Sequence, residues 1–222
     1  YHLSQTIKVN QTGTADKRIC VFAYPGDTER PVFAFSGQPR STSTEAASYR
    51  GVMHNIGANY WHYRGLDFCH AADNGMKLEG SYCVVELCRF YGNEDTGLQQ
   101  GFGKDSKGNN TRNTEFKYGR NNIIVNCDAY DNNDPWTHGG NADGFAIKLY
   151  PGPGNEFHGC RAWHNSDDGW DLYYTVFPIV VDNCWVLNNG LDKGNANGFK
   201  MGGCKQGGTS TGAHVFKNCI AA

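Results

Sequence analysis

The sequence predicts an all-β chain wound as a parallel β-helix, and three observations carry that prediction. Cys88, Cys127, Cys160 and Cys184 are each followed five residues later by an asparagine: Asn93, Asn132, Asn165 and Asn189. Downstream of these asparagines a glycine opens an apolar-x-apolar run, as in Gly144-Phe-Ala-Ile147, Gly169-Trp-Asp-Leu172 and Gly198-Phe-Lys-Met201. Short alternating runs of this kind mark strands, and no segment carries the 3.6-residue apolar stripe of a helix. Motifs in fixed order with variable insertions between them are the signature of a solenoid, in which each coil contacts only its neighbours.

The elements follow in order. Residues 5–10, 18–24 and 31–35 read as the short strands of the first coils, and residues 39–48 as a Ser/Thr-rich loop. The aromatic run from Tyr60 to Tyr63 leads into a coil that ends at Gly80 and contains an earlier copy of the motif, Gly75-Met-Lys-Leu78. A looser copy, Gly97-Leu-Gln-Gln100, departs from the pattern at Gln100. Residues 101–120 form a polar insertion with Lys104, Lys107, Arg112, Lys117 and Arg120, which reads as a solvated loop or as a lip for a polyanion. Pro151 to Gly154 is a turn, and residues 202–213 form a glycine-rich loop. Cysteine-to-cysteine spacing runs from 24 residues (Cys160 to Cys184) to 39 (Cys88 to Cys127). The shortest spacing suits one coil, and the excess elsewhere reads as loops on one face.

The asparagine column is expected to be structural, because asparagine tolerates left-handed backbone angles and can hydrogen-bond from coil to coil. The cysteine column, with Cys219 as a fifth member, is expected in the interior, where a free thiol behaves as a small apolar residue. Nine cysteines is an odd number, so at least one is unpaired, and Cys20, Cys69, Cys83 and Cys204 stand outside the column.

Length and composition fit one elongated β-helix domain over residues 1–222, with apolar content of 39% and 29 glycines. A net charge of −2 gives no global field to attract nucleic acid, so attraction for an anionic substrate has to be local. No run of 18 apolar residues exists to span a membrane. The chain lacks an initiator methionine and a signal-type apolar region, and it stops within a coil. It is therefore expected to be part of a longer protein, with further coils or a cap beyond it.

The chemistry lies in the columns. Alternation places Lys77, Gln99, Ala146, Asp171 and Lys200 in one outward column, facing solvent. The slot before the glycine reads Asn74, Thr96, Asp143, Asp168 and Asn197. Adjacent coils lie about 4.8 Å apart, so Asp143 and Asp168 become stacked neighbours, with Asp167 and Asp171 brought round by the turn at Gly169. Four carboxylates that close repel one another unless a cation sits among them, and an all-oxygen site suits calcium better than zinc. A lone Asp-Gly pair would merely cap a turn; two aligned copies with two further aspartates point to metal. Lys200 stands one coil beyond Asp171. It is either an ion-pair partner of little weight or, beside a dication that disfavours its charged form, a base. A cation with a neutral amine is the equipment for β-elimination in a uronic acid polymer: the cation neutralises the uronate, the amine takes the C5 proton, and the C4–O bond breaks. Lys77 and Lys148 project near this site as weaker candidates for contact with substrate.

These residues closely resemble family 9 of the polysaccharide lyases. The likeness runs from Tyr60-Trp61 through Asp73 to Met76, Asp95 to Gln99, Ala142 to Phe145, Gly152 to Asn155, Asn165 to Leu172 and Asn197 to Lys200, in order. The resemblance implies a right-handed β-helix of ten-coil type, calcium on Asp143, Asp167, Asp168 and Asp171, and Lys200 as the base. It implies a secreted or periplasmic enzyme, expected to be monomeric, cleaving an anionic pectic polysaccharide. The family includes both pectate and rhamnogalacturonan lyases, and nothing in the sequence separates those substrates. Two readings of other classes stand beside it. A polygalacturonase-type hydrolase would use Asp143, Asp167 and Asp168 as acid and base, but the Gly-His-Gly and Arg-Ile-Lys motifs expected downstream are missing. A calcium-stabilised β-helix that only binds glycans would not need Lys200. The eight histidines share no column with the aspartates and read as ordinary loop and coil residues.

Overall fold

The computed structural model describes residues 1–45, 47, 49–101, 117–203 and 213–222. Lys104, Lys107, Arg112 and Cys204 lie outside them, and with them most of the polar insertion and of the glycine-rich loop.

Each coil contributes three short strands, and the described residues hold seven coils. They are β1 (Ile7–Val9), β2 (Ile19–Phe22) and β3 (Val32–Ala34); β4 (Val52–His54), β5 (Trp61–Arg64) and β6 (Asp67–Cys69); and β7 (Met76–Leu78), β8 (Val84–Glu86) and β9 (Arg89–Tyr91). There follow β10 (Leu98–Gln100), β11 (Ile123–Val125) and β12 (Asp128–Tyr130); and β13 (Phe145–Ile147), β14 (Glu156–His158) and β15 (Arg161–Trp163). The last are β16 (Trp170–Asp171), β17 (Val180–Asp182) and β18 (Trp185–Leu187); and β19 (Phe199–Lys200), β20 (Val215–Lys217) and β21 (Ile220–Ala221). Every third strand pairs in parallel, which gives three sheets of seven strands. The first sheet runs β1-β4-β7-β10-β13-β16-β19 and carries the glycine-opened runs.

Two bends per coil turn on left-handed backbone. Leu87, Asn126, Gly159, Asn183 and Asn218, each just before a cysteine of the column, have φ between 51° and 64°. His70, Gly92, Asp131, His164 and Asn188, with φ between 47° and 62°, turn the chain likewise one residue before the ladder position. Histidine, asparagine and aspartate tolerate this region better than branched residues do, which accounts for His70 and His164 as turn residues.

The asparagine column forms a continuous ladder. Asn93 Nδ2 donates to Asn132 Oδ1 at 2.9 Å, Asn132 Nδ2 to Asn165 Oδ1 at 2.8 Å and Asn165 Nδ2 to Asn189 Oδ1 at 2.9 Å. Each backbone N–H of Asn93, Asn132 and Asn165 also donates to the next Oδ1. An amide both donates and accepts, so the column satisfies itself without water. Cys88, Cys127, Cys160 and Cys184 are wholly buried, and the eight cysteines among the described residues are free thiols. The interior is filled by stacked rings, among them Phe145, Trp170 and Phe199 with centroids 4.7 and 5.2 Å apart. Gln100, the departure from the apolar pattern, also faces inward: it is fully buried and donates to Gly119 O at 2.8 Å.

Register across the first sheet follows the predicted column. Lys77 pairs with Gln99, Gln99 with Ala146, Ala146 with Asp171 and Asp171 with Lys200. The expectation that this column faces solvent is corrected. Lys77, Gln99, Ala146 and Asp171 are 3%, 7%, 0% and 3% exposed, so this stretch of the outer face is covered.

Candidate active site

The glycines that precede β13 and β16 set the site. A Cβ on Gly144 would lie 2.7 Å from Ala162 Cβ and 2.9 Å from Gly169 O; one on Gly169 would lie 2.4 Å from Val186 Cγ1 and 2.6 Å from Gly198 O. Neither glycine has a positive φ. The sequence reading took Gly169 as a turn residue; it is needed instead for close approach of successive coils. With no side chain in the way, Gly144 N donates to Asp168 O and Gly169 N to Asn197 O, both at 2.9 Å. Asp143 and Asp168 are thereby stacked.

Asp143, Asp168 and Asp171 bring a carboxylate oxygen each to within 4.8 Å of one another, all three buried. Of the metal-competent side chains among the described residues they form the one such group, and no histidine joins it. Asp143 Oδ1 accepts from Asp168 N at 3.3 Å, and Oδ2 from Thr96 Oγ1 at 3.2 Å. Asp168 Oδ1 accepts from Asn197 N and Nδ2 at 2.9 and 2.7 Å. Asp171 Oδ1 accepts from Tyr173 N at 2.9 Å. These bonds hold Asp168 and Asp171 by their Oδ1 atoms and Asp143 by both oxygens.

Two ammonium groups enter the cluster. Lys148 Nζ lies 2.9 Å from Asp143 Oδ2 and 3.1 Å from Asp171 Oδ2. Lys200 Nζ lies 3.1 Å from Asp168 Oδ2 and 3.5 Å from Asp171 Oδ2, with the Tyr173 ring 5.9 Å away. Asp168 Oδ2 is buried and receives no hydrogen bond of good geometry, only this electrostatic contact. A buried carboxylate oxygen left in that state is costly unless a cation meets it. Burial pushes the Asp143 carboxyl up to about 8, helped by the Asp171 and Asp167 charges and opposed by Lys148. Burial works against the charge on both lysines, but the carboxylates outweigh it: Asp143 and Asp171 hold Lys148 above its ordinary value, and Asp171 and Asp168 do the same for Lys200.

Asp167 is buried beside this group but outside it, its Oδ1 accepting from Asn195 N at 2.6 Å. Burial and the Asp168 charge raise its pKa. Lys77 is enclosed farther along the sheet, where burial lowers it to about 8 against the pull of Glu79. Sequence reasoning named Lys148 only as a weak substrate contact and missed its place between Asp143 and Asp171. It also missed Thr96 and Asn197 as donors to the carboxylates, although both occupy the same slot as Asp143 and Asp168. Three buried carboxylates, with Asp168 Oδ2 lacking a hydrogen bond and no nitrogen or sulfur ligand beside them, form a donor set suited to a hard divalent cation.

Three parallel sheets of seven strands with an acidic cluster on the outer face of one define a parallel β-helix, and comparison with known proteins gives its family. The chain belongs to the Pel9A-like right-handed β-helix family, whose model matches residues 1–222. Pectate lyase L of Thermoclostridium stercorarium is 39% identical over 222 residues, covering 94% of this chain and 16% of its own length. Pectate lyase L of Dickeya dadantii strain 3937 is 38% identical over 205 residues, covering 89% of this chain and 43% of its own length. Among solved structures, pectate lyase Pel9A superposes with a TM-score of 0.79 at 32% identity, over 99% of this chain and 50% of that one. A rhamnogalacturonan lyase gives 0.72 at 26% identity, over 97% and 53%. This chain thus spans half or less of these curated relatives. No helix among the described residues is long and apolar enough to cross a membrane.

Proposed function

We propose that this β-helix is the catalytic unit of a calcium-dependent polysaccharide lyase that cleaves galacturonate-containing pectic polymers by β-elimination. The observation that carries the reading is the meeting of three buried carboxylates within 4.8 Å with Lys200 Nζ 3.1 Å from one of them. Asp143, Asp168 and Asp171 would hold calcium, with Asp167 as a fourth ligand from the same turn. When bound, the ion supplies positive charge that neutralises the uronate carboxylate and acidifies the neighbouring C5–H.

The rest is the work of this chain's residues. Lys200, in register with Asp171, receives the C5 proton at Nζ. In the metal-free site Asp168 and Asp171 favour its ammonium form; engaging those carboxylates elsewhere removes that stabilisation and frees the amine. Asn197 and Tyr173 keep Asp168 and Asp171 oriented through the bonds to their Oδ1 atoms. Lys148, held in the metal-free site by Asp143 and Asp171, would be released toward a substrate carboxylate once those groups engage the ion, and the enclosed Lys77 is the weaker candidate. A polymer substrate places the enzyme's work outside the cell, and a secreted protein is the reading that follows.

The test is formation of ultraviolet-absorbing unsaturated product from polygalacturonate and from rhamnogalacturonan. Chelator is expected to abolish it and added calcium to restore it. Saturated reducing ends without ultraviolet absorbance would identify a hydrolase and overturn the proposal.

A further inference from the structure

Lys148 holds the oxygens that the proposed ion needs. Its Nζ lies 2.9 Å from Asp143 Oδ2 and 3.1 Å from Asp171 Oδ2, and its side chain is only 14% exposed. Asp143 Oδ1 accepts from Asp168 N, and Asp171 Oδ1 from Tyr173 N. The oxygens of these two carboxylates that are not bound to backbone are therefore the ones that Lys148 occupies. Lys200 rests on Asp168 and Asp171 instead, at 3.1 and 3.5 Å, which leaves Asp143 to Lys148. Calcium takes its oxygens at about 2.3–2.6 Å, and a dication at that range repels an ammonium resting on the same atoms. The ion gains these oxygens only by displacing Lys148.

Lys148 has a second seat within reach. It also lines a cavity of about 280 Å³ beside the cluster, together with Arg50, Asp73, Glu94 and Asp95. Two of these acids already have cations: Asp73 lies 3.4 Å from Arg50 Nη2, and Glu94 lies 3.5 Å from Arg40 Nη1. Arg50 is tied down further by Asn74, whose Oδ1 accepts from its Nε at 3.3 Å. Asp95 has no ion pair to a described residue, and its Oδ1 accepts from Thr96 N. A displaced Lys148 ammonium therefore turns toward Asp95. An ammonium has three donors, so one seated there still has N–H groups to give to a carboxylate that substrate brings into the cavity.

Resting on the lyase reading above, we propose that Lys148 is a displaceable counter-ion that couples calcium to substrate. It competes with calcium for Asp143 and Asp171, and once turned into the cavity it binds a uronate carboxylate. The uronate offsets the cost of moving Lys148, so it tightens calcium, and by reciprocity calcium tightens the uronate.

The experiment measures calcium binding by calorimetry, with and without trigalacturonate, in two proteins. One is Lys200→Met, which lacks the proposed base and leaves the saccharide intact; the other adds Lys148→Gln. Without saccharide, Lys148→Gln is expected to tighten calcium about tenfold, because no ammonium has to be displaced. Trigalacturonate is expected to tighten calcium about tenfold in Lys200→Met, and clearly less in the double variant, where only direct contact between ion and uronate remains. Calcium binding that Lys148→Gln leaves unchanged or weakens overturns the displacement. An equal saccharide effect in both proteins, or none in either, overturns the coupling. A reading that removes no charge guards against a variant that fails to fold: the side-chain NMR signals of Lys148, assigned through Lys148→Arg, are expected to shift when calcium is added to the wild type. Signals that stay in place overturn the displacement. The lyase reading fails separately, if the wild type forms no unsaturated product from any pectic polymer, and the calcium comparison still decides whether Lys148 is displaced.

Discussion

The asparagine ladder and the aspartate cluster are built by the same repetition of coils, yet they solve opposite problems. In the ladder, Asn93, Asn132, Asn165 and Asn189 stack amides that donate to one neighbour and accept from the other. In the cluster, Asp143 and Asp168 stack groups that only accept when ionised. The ladder therefore closes on itself, whereas the cluster recruits Thr96, Asn197, Lys148 and Lys200 and still leaves Asp168 Oδ2 without a good donor. One column is complete as folded, and the other keeps an unpaired carboxylate oxygen for the cation proposed above.

Exchanging the two chemistries breaks the comparison most severely in the ladder. Asn132→Asp keeps the shape but replaces a donor with a carboxylate facing Asn165 Oδ1. An unpaired buried charge costs about 3–5 kcal/mol, and urea unfolding is expected to register a loss of that size. Asn132→Ala leaves the Asn93 N–H and amide unpaired, at about 1–3 kcal/mol. In the cluster the same kind of exchange acts on metal instead. Asp168→Asn is expected to weaken calcium binding, read by calorimetry, by at least tenfold while leaving the metal-free fold intact. If it lowered stability as Asn132→Asp does, the cluster would be a structural network like the ladder.

A smaller effect sharpens the contrast through pH. Asp143 has its folded pKa raised from 3.8 to about 8, so the folded chain binds more protons than the unfolded chain between those values. Its contribution to stability therefore falls as pH rises through that window. His54 acts oppositely: burial lowers it from 6.5 to about 4, so its contribution is present above 6.5 and is lost as pH falls toward 4. In chelator, the difference in Tm between Asp143→Asn and the wild type is expected to move by a few degrees in the variant's favour from pH 5 to pH 8, because His54 is common to both. A difference that stays flat across that range would show that Asp143 is not held against its neighbours.

Much of this was legible from the chain alone, for a physical reason. A parallel coil repeats its register, so residues in one motif slot share one line in space, and the columns through Asp143, Asp171 and Asn132 follow from alignment of the repeats. Loops do not repeat. The enclosure of Lys77 and Gln99 is not encoded by the periodicity, and although Lys148 is the next outward position after Ala146, its choice of Asp143 and Asp171 as partners is set by side-chain conformation, which a motif alignment does not carry. A second line of amides was overlooked too, in which Ser81 N donates to Asn59 Oδ1, Cys83 N to Asn122 Oδ1 and Asn122 N to Asn155 Oδ1. Asn122 and Asn155 stand five residues before Cys127 and Cys160, the slot that Cys83 holds before Cys88, so the alignment contained this line although only two of these slots carry asparagine.

Lys200→Met, assayed for calcium binding and for unsaturated product side by side, tests the central claim most directly. Loss of a positioned general base costs about 10²–10⁴-fold in rate, so the variant is expected to bind calcium at least as tightly as the wild type while product formation falls by that factor. Undiminished product from a variant that still binds calcium would contradict the assignment of Lys200 as the base.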